Sequence, residues 1–234
     1  MEKECISKCW YNAVCQHPQR IACGEDKDCT YTHMCPRFLE MKYLMEHSGI
    51  PVSKQKSIML NPQEVDYNAF CMLADIKDDI VNFVKNGKNL YICSQFPGNG
   101  KTSWSLKLMM RFFNEIWLGN GFRTRGIFVH VPTFLLKYKN FDVKDSEFEI
   151  LKEELPKVDL VIWDDIACTT VSNYDLSLLT MYIDQRILSD KSNIFTGNIV
   201  DVNSIESILG ARLKSRIWST SQHIEFKGND RREK

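Results

Sequence analysis

Between a short apolar run, Leu90 to Cys93, and an amphipathic stretch opening at Lys101 lies the segment Ser94-Gln95-Phe96-Pro97-Gly98-Asn99-Gly100-Lys101-Thr102. A strand, a glycine-bearing loop and a helix in that order point backbone N–H groups and a positive helix end at one anion, which restricts the fold more than any other feature of the chain. Gly98 and Gly100 let the backbone turn. Lys101 is placed to reach the β and γ phosphates of a nucleotide, and Thr102 to hold Mg²⁺ through its hydroxyl. The usual loop carries glycine where this chain has Gln95, so a narrower range of backbone geometry is expected.

From residue 69 onward, apolar runs alternate with amphipathic stretches. Leu90–Cys93, Ile127–Val131, Val158–Trp163, Asn193–Thr196 and His223–Phe226 read as strands; segments near 75–85, 101–117, 146–155, 173–189 and 204–217 read as helices. Such alternation predicts an α/β domain, a parallel sheet between helices. The run Val158 to Asp165 ends in two carboxylates, and a buried parallel strand delivers its terminal side chains to the ligand edge of the sheet. Asp164 is then the expected outer ligand of Mg²⁺ and Asp165 the carboxylate that orients an attacking water. Because Asp165 is one methylene shorter than the glutamate often used there, slow hydrolysis is expected. Asn198, at the end of Ile194-Phe195-Thr196-Gly197-Asn198, is a candidate sensor of the γ phosphate; a turn asparagine is the plainer alternative. Arg212 and Arg216 lie four apart and share a helix face, suited either to a neighbouring subunit's nucleotide or simply to solvent.

The cysteines divide the 234 residues into two regimes. Six of nine, Cys5, Cys9, Cys15, Cys23, Cys29 and Cys35, fall in the first 35 residues, with His17 and His33 nearby. The start, Met-Glu-Lys-Glu, carries no apolar leader, and no stretch approaches the roughly 18 apolar residues that span a bilayer. A cytoplasmic protein without a membrane partner is expected, and in a reducing compartment clustered cysteines favour metal over disulfides. Zn²⁺ is the expected ion; an iron–sulfur cluster, disulfides or plain buried thiols are the alternatives. No paired Cys-x2-Cys ranks the six as ligands. Phe38, Met41, Leu44 and Met45 recur at helical spacing up to Ser48-Gly49-Ile50-Pro51, so a module over 1–50, a linker over 51–68 and a core over 69–234 are predicted. The formal net charge of zero gives no footprint for wrapping long duplex DNA, leaving local contacts such as single-stranded DNA in a channel.

Together these motifs resemble the AAA+ replicative helicase loaders of the DnaC/DnaI type and their IstB-type transposition-helper relatives, over roughly residues 70 to 232. Pro97-Gly98-Asn99-Gly100-Lys101-Thr102, followed by Ser103, is similar to the loaders' phosphate loop, and Val161-Ile162-Trp163-Asp164-Asp165-Ile166 to their second nucleotide motif. Phe128-Val129-His130-Val131-Pro132 resembles the second strand. Ile194 to Asn198 resembles the sensor strand, with Gly197 where serine is frequent. Leu209 to Arg216 resembles the arginine-bearing element read by the adjacent subunit, and Phe226 to Arg232 the terminal strand and tail. The resemblance implies a P-loop ATPase using ATP and Mg²⁺, a homo-oligomer that holds the replicative DNA helicase through its N-terminal domain and helps place it on single-stranded DNA. A phage or mobile-element origin would suit the short form. A transposition helper, or a nucleotide-switched, metal-stabilised adaptor with little catalysis, are the other expectations.

Overall fold

Five strands form one parallel sheet in the computed structural model: β1 (Asn89–Cys93), β2 (Gly126–His130), β3 (Leu160–Asp164), β4 (Ser192–Gly197) and β5 (Ser221–Glu225), in the spatial order β2-β3-β4-β1-β5. The structure describes residues 36–55, 60–116, 122–139, 145–167 and 172–230. The expected metal ligands Cys5, Cys9, Cys15, Cys23, Cys29 and Cys35 lie outside the described residues, as do Cys168, Arg231 and Arg232.

Alternation along each strand builds the two halves of the core, because successive side chains leave a strand on opposite faces. Leu90, Ile92, Ile162 and Ile194 face one apolar layer, which they share with α1 (Pro36–Glu46), α2 (Tyr67–Asp78), α3 (Ile80–Lys85) and α4 (Lys101–Glu115). Tyr91, Cys93, Val161, Trp163 and Phe195 face the other, against α5 (Val131–Lys139), α6 (Ser146–Glu154), α7 (Asn173–Leu188) and α8 (Val202–Trp218). The helix following β1 thus lies on one face and the helix following β4 on the other. Since β1 and β4 are neighbours, the crevice between their carboxyl ends is the topological switch point at which open α/β sheets bind ligands.

Several elements depart from their expected place. Met41, Leu44, Met45 and Ile50 pack into the same apolar layer as Leu108, Met109 and Phe112 of α4, so α1 and the segment after it belong to the core of the sheet domain instead of to a separate N-terminal module. The carbonyl of Ser48 accepts a 2.6 Å hydrogen bond from Phe128 N, covering part of the exposed edge of β2. The stretch read as linker is also partly regular: 3-10 turns span Val52–Lys54 and Glu64–Asp66, and the second leads straight into α2. The apolar positions Phe70, Leu73 and Ile76 of α2 recur at helical spacing, but Asp79 breaks the run before α3, so two helices stand where one was expected.

At the end of the sheet away from the crevice, Arg186 on α7 is fully buried. It donates to the carbonyls of Leu155, Val158 and Ser192 at 2.7, 2.8 and 2.7 Å and to Asn193 Oδ1 at 2.8 Å. Trp163 Nε1 shares that amide oxygen at 3.1 Å. One cation therefore satisfies three carbonyls, at the end of α6, just before β3 and at the start of β4.

Candidate nucleotide site

The loop between β1 and α4 turns as its glycines demand. Gly98 has φ 68° and Gly100, the N-cap of α4, φ 104°, both in the left-handed region that glycine enters without a Cβ penalty. Gln95 is not among the residues with positive φ, so its side chain imposes no strain where the common motif has glycine. The loop is closed from within: Ser94 Oγ accepts from Phe96 N at 3.1 Å and from Asn99 Nδ2. Lys101 is buried, and its ammonium donates to Phe96 O at 3.0 Å and Asn99 Oδ1 at 3.4 Å. Pro97 is exposed and Ser103 half-buried beside them.

Across the crevice, Asp164 ends β3 and is buried. Its Oδ1 accepts from Thr102 Oγ1 at 2.8 Å and from Thr196 Oγ1 at 2.7 Å. Burial pushes this carboxyl above the usual aspartate range; the Thr196 and Thr102 hydrogen bonds and the Lys54 charge oppose the rise, and the Asp165 charge adds to it. A buried carboxylate beside a threonine hydroxyl at the start of a loop–helix unit is the oxygen donor set a Mg²⁺ ion coordinates, so these residues fit the metal and nucleotide that the motifs imply.

Asp165 follows in the left-handed region, φ 59°, an uncommon conformation for a non-glycine residue and one that clusters at functional sites. Its N–H donates to Thr196 Oγ1 at 3.0 Å, and Ile166 N donates to Thr196 O at 3.0 Å, so β4 holds the turn from both sides. Asp165 Oδ2 lies 3.6 Å from His130 Nε2 at the end of β2, whose Nδ1 is 2.7 Å from Thr133 Oγ1. One ligand atom each of His130, Asp164 and Asp165 fall within 4.8 Å of one another. Nothing in the motifs assigns a role to Thr196 or His130; the polar residue closing the apolar run Ile194-Phe195 is the signal that marks Thr196.

Asn198 is exposed just past the end of β4. Glycine precedes it for a packing reason: a β-carbon at position 197 would lie 2.7 Å from the hydroxyl of Tyr91, which itself donates to Ile199 O at 2.8 Å. Arg212 and Arg216 both follow a break in α8 at Gly210, φ 72°, and both turn to Asp184 of α7, at 2.9 Å and 2.5 Å. Their partner is thus a carboxylate of the same chain, while the Arg212 side chain remains 76% exposed.

No protein-family model matches the chain, and no curated protein matches it. Solved structures do. A crystal structure of the DnaC helicase loader is similar over 71% of this chain and 93% of its own, with 23% identity and a TM-score of 0.58. A crystal structure of DnaI is similar over 76% of this chain and 95% of its own, with 18% identity and a TM-score of 0.59. The replication initiator DnaA bound to AMPPCP and single-stranded DNA is similar over 74% of this chain and 52% of its own, with 15% identity and a TM-score of 0.55. The chain therefore shares the fold of these structures, a five-stranded parallel sheet between helices.

Proposed function

We propose that this chain is an ATP- and Mg²⁺-dependent helicase loader acting in DNA replication. The observation that carries the reading is the meeting of Thr102, Asp164 and Thr196 at the mouth of a glycine loop, in a fold shared with the DnaC helicase loader. The loop N–H groups and Lys101 hold phosphate; Thr102 and Asp164 hold the cation, which neutralises charge on the phosphates when bound. Thr196 keeps the Asp164 carboxylate aimed at that position. Asp165 orients water, with His130 beside its outer oxygen and Asn198 at the crevice rim. Arg212 and Arg216 serve a neighbour's site in a homo-oligomer, by exchanging Asp184 for phosphate.

The likeness to DnaA bound to AMPPCP and single-stranded DNA supports a nucleotide and a single-stranded partner for this chain too. The cysteine-rich segment is the helicase-docking module, held by Zn²⁺ on a subset of Cys5, Cys9, Cys15, Cys23, Cys29 and Cys35. Elemental analysis of freshly purified, reduced protein is expected to find stoichiometric zinc; metal-free protein sinks that part.

The functional test is light scattering after size exclusion of the protein mixed with its host's replicative helicase, with and without ATP and Mg²⁺. A joint complex is expected, and removal of residues 1–35 should abolish it while leaving the core folded. Truncation at residue 50 is not equivalent, since Met41, Leu44 and Met45 are core residues. Absence of any complex, with duplex DNA binding instead, would favour the transposition helper.

A further inference from the structure

After β5, residues 226–230 return to the phosphate loop. Phe226 N extends the β5 ladder by donating to Cys93 O at 2.8 Å. Lys227 N and Gly228 N then donate to Oδ1 of the buried Asp66 at 2.7 and 3.1 Å. Asn229 is held on both sides by one amide, its N–H donating to Gln63 Oε1 at 3.1 Å and its carbonyl accepting from Gln63 Nε2 at 3.4 Å. A β-carbon at residue 228 would lie 2.1 Å from Gln63 Oε1 and 2.5 Å from Asp66 Oδ2, so glycine lets the chain take this seat without displacing either side chain. The next residue, Asp230, sets its carboxylate against the phosphate loop: a β-carbon at Gly98 would lie 1.7 Å from Asp230 Oδ1 and 2.2 Å from its carboxyl carbon. The carboxylate fills the place a side chain at position 98 would take.

We propose that Asp230 and the nucleotide phosphates compete for the glycine loop, so that nucleotide binding displaces the tail and loosens its clasp on Gln63 and Asp66. This rests on the reading of the loop as a nucleotide site. The physical basis is charge. A carboxylate against Gly98 and a polyphosphate on the same loop are like charges within a few ångströms, and the repulsion is relieved when the tail withdraws. The clasp residues stand in the turn Glu64–Asp66 and just before it, directly ahead of α2, on the chain that leads back to α1 and the cysteine-rich segment. Withdrawal of the tail therefore frees Asp66 Oδ1 and the Gln63 amide on the N-terminal side of the domain, which carries the occupancy of the loop to the segment that docks the partner.

The test pairs nucleotide affinity with amide hydrogen exchange on the full-length protein, using ADP and AMPPCP with Mg²⁺ as probes. In the natural protein, nucleotide should raise exchange at the amides of Lys227, Gly228 and Asn229. In Asp230→Asn, which keeps the shape and removes the charge, affinity should rise on the order of tenfold, and nucleotide should no longer raise exchange in the tail. Gln63→Ala, which weakens the clasp without touching the loop, should also tighten nucleotide. Unchanged affinity in Asp230→Asn, or a tail whose exchange is the same with and without nucleotide in the natural protein, overturns the proposal while leaving the nucleotide site standing. A natural protein that binds neither probe overturns the nucleotide site itself, and is distinguished because it fails before any variant is compared.

Discussion

Thr196, on β4, donates its hydroxyl at 2.7 Å to Oδ1 of Asp164, the same oxygen that accepts from Thr102, and its own oxygen accepts the N–H of Asp165. One side chain thus sets both the direction of the buried carboxylate and the left-handed turn that follows it. Thr196→Val keeps the shape and removes both bonds. A loss of about 1–3 kcal/mol in stability is expected, read by urea unfolding, together with ATP turnover lowered more than nucleotide affinity. Full turnover in a folded Thr196→Val would remove Thr196 from the site.

The raised pKa of Asp164 predicts a pH dependence with a definite sign. Its folded value lies above the unfolded value near 3.8, so the stability this group contributes to the unliganded protein is fully present below the unfolded value and lost as pH rises through the folded one. Cation binding requires the ionised form and reverses the preference. Affinity for Mg²⁺–ATP should therefore fall as pH is lowered through the raised Asp164 value, with proton release on binding. Titration calorimetry in buffers of different ionisation heat measures this release, which Asp164→Asn should abolish; an equal release in that variant refutes the assignment.

Arg212 and Arg216 meet one carboxylate, the buried Asp184; the Arg212 side chain is 76% exposed and Arg216 stays on Asp184 without it, so the Arg212 pair is worth about 1 kcal/mol or less. Arg212→Ala should therefore unfold within about 1 kcal/mol of the natural protein and bind nucleotide equally well. If the arginines complete a neighbour's site, its turnover per chain stays low at every protein concentration, whereas that of the natural protein climbs as subunits associate. Concentration-dependent ATPase assays separate the two outcomes, and unchanged turnover in both single variants would remove the intersubunit role.

Arg186 is the converse case, a cation whose work is structural. Burial pulls its guanidinium pKa down to about 9, with the Asp159 charge opposing the fall, so it stays charged at neutral pH. Arg186→Met leaves the carbonyls of Leu155, Val158 and Ser192 without their donor. A destabilisation of about 3–5 kcal/mol is expected from denaturant unfolding. A smaller loss than about 1 kcal/mol would mean that water replaces the guanidinium.

What the sequence determined by itself is local. The apolar runs ending at Cys93 and Asp164, and the glycines before Lys101, specify strands and a loop through their own residues and nearest neighbours, so their identity, order and α/β class are legible without a structure. The expected strand ends shift by only a residue or two, as at Gly126–His130, because pairing with β3 sets where the ladder stops. Contacts between positions far apart in the chain follow instead from the strand order and the packing. The partners Thr102 and Asp164 are 62 residues apart, and Gln63 and Asn229 are 166 apart. Nothing in the spacing around Met41 and Leu44 tells a helix that closes its own module from one that packs on α4. An amphipathic face states that it must be buried, and the burying partner is chosen by the whole sheet. Thr196, His130 and Asp230 are ordinary polar residues in sequence; they acquire their roles because the strand order sets β4 between β1 and β3 and brings the chain after β5 back across Gly98.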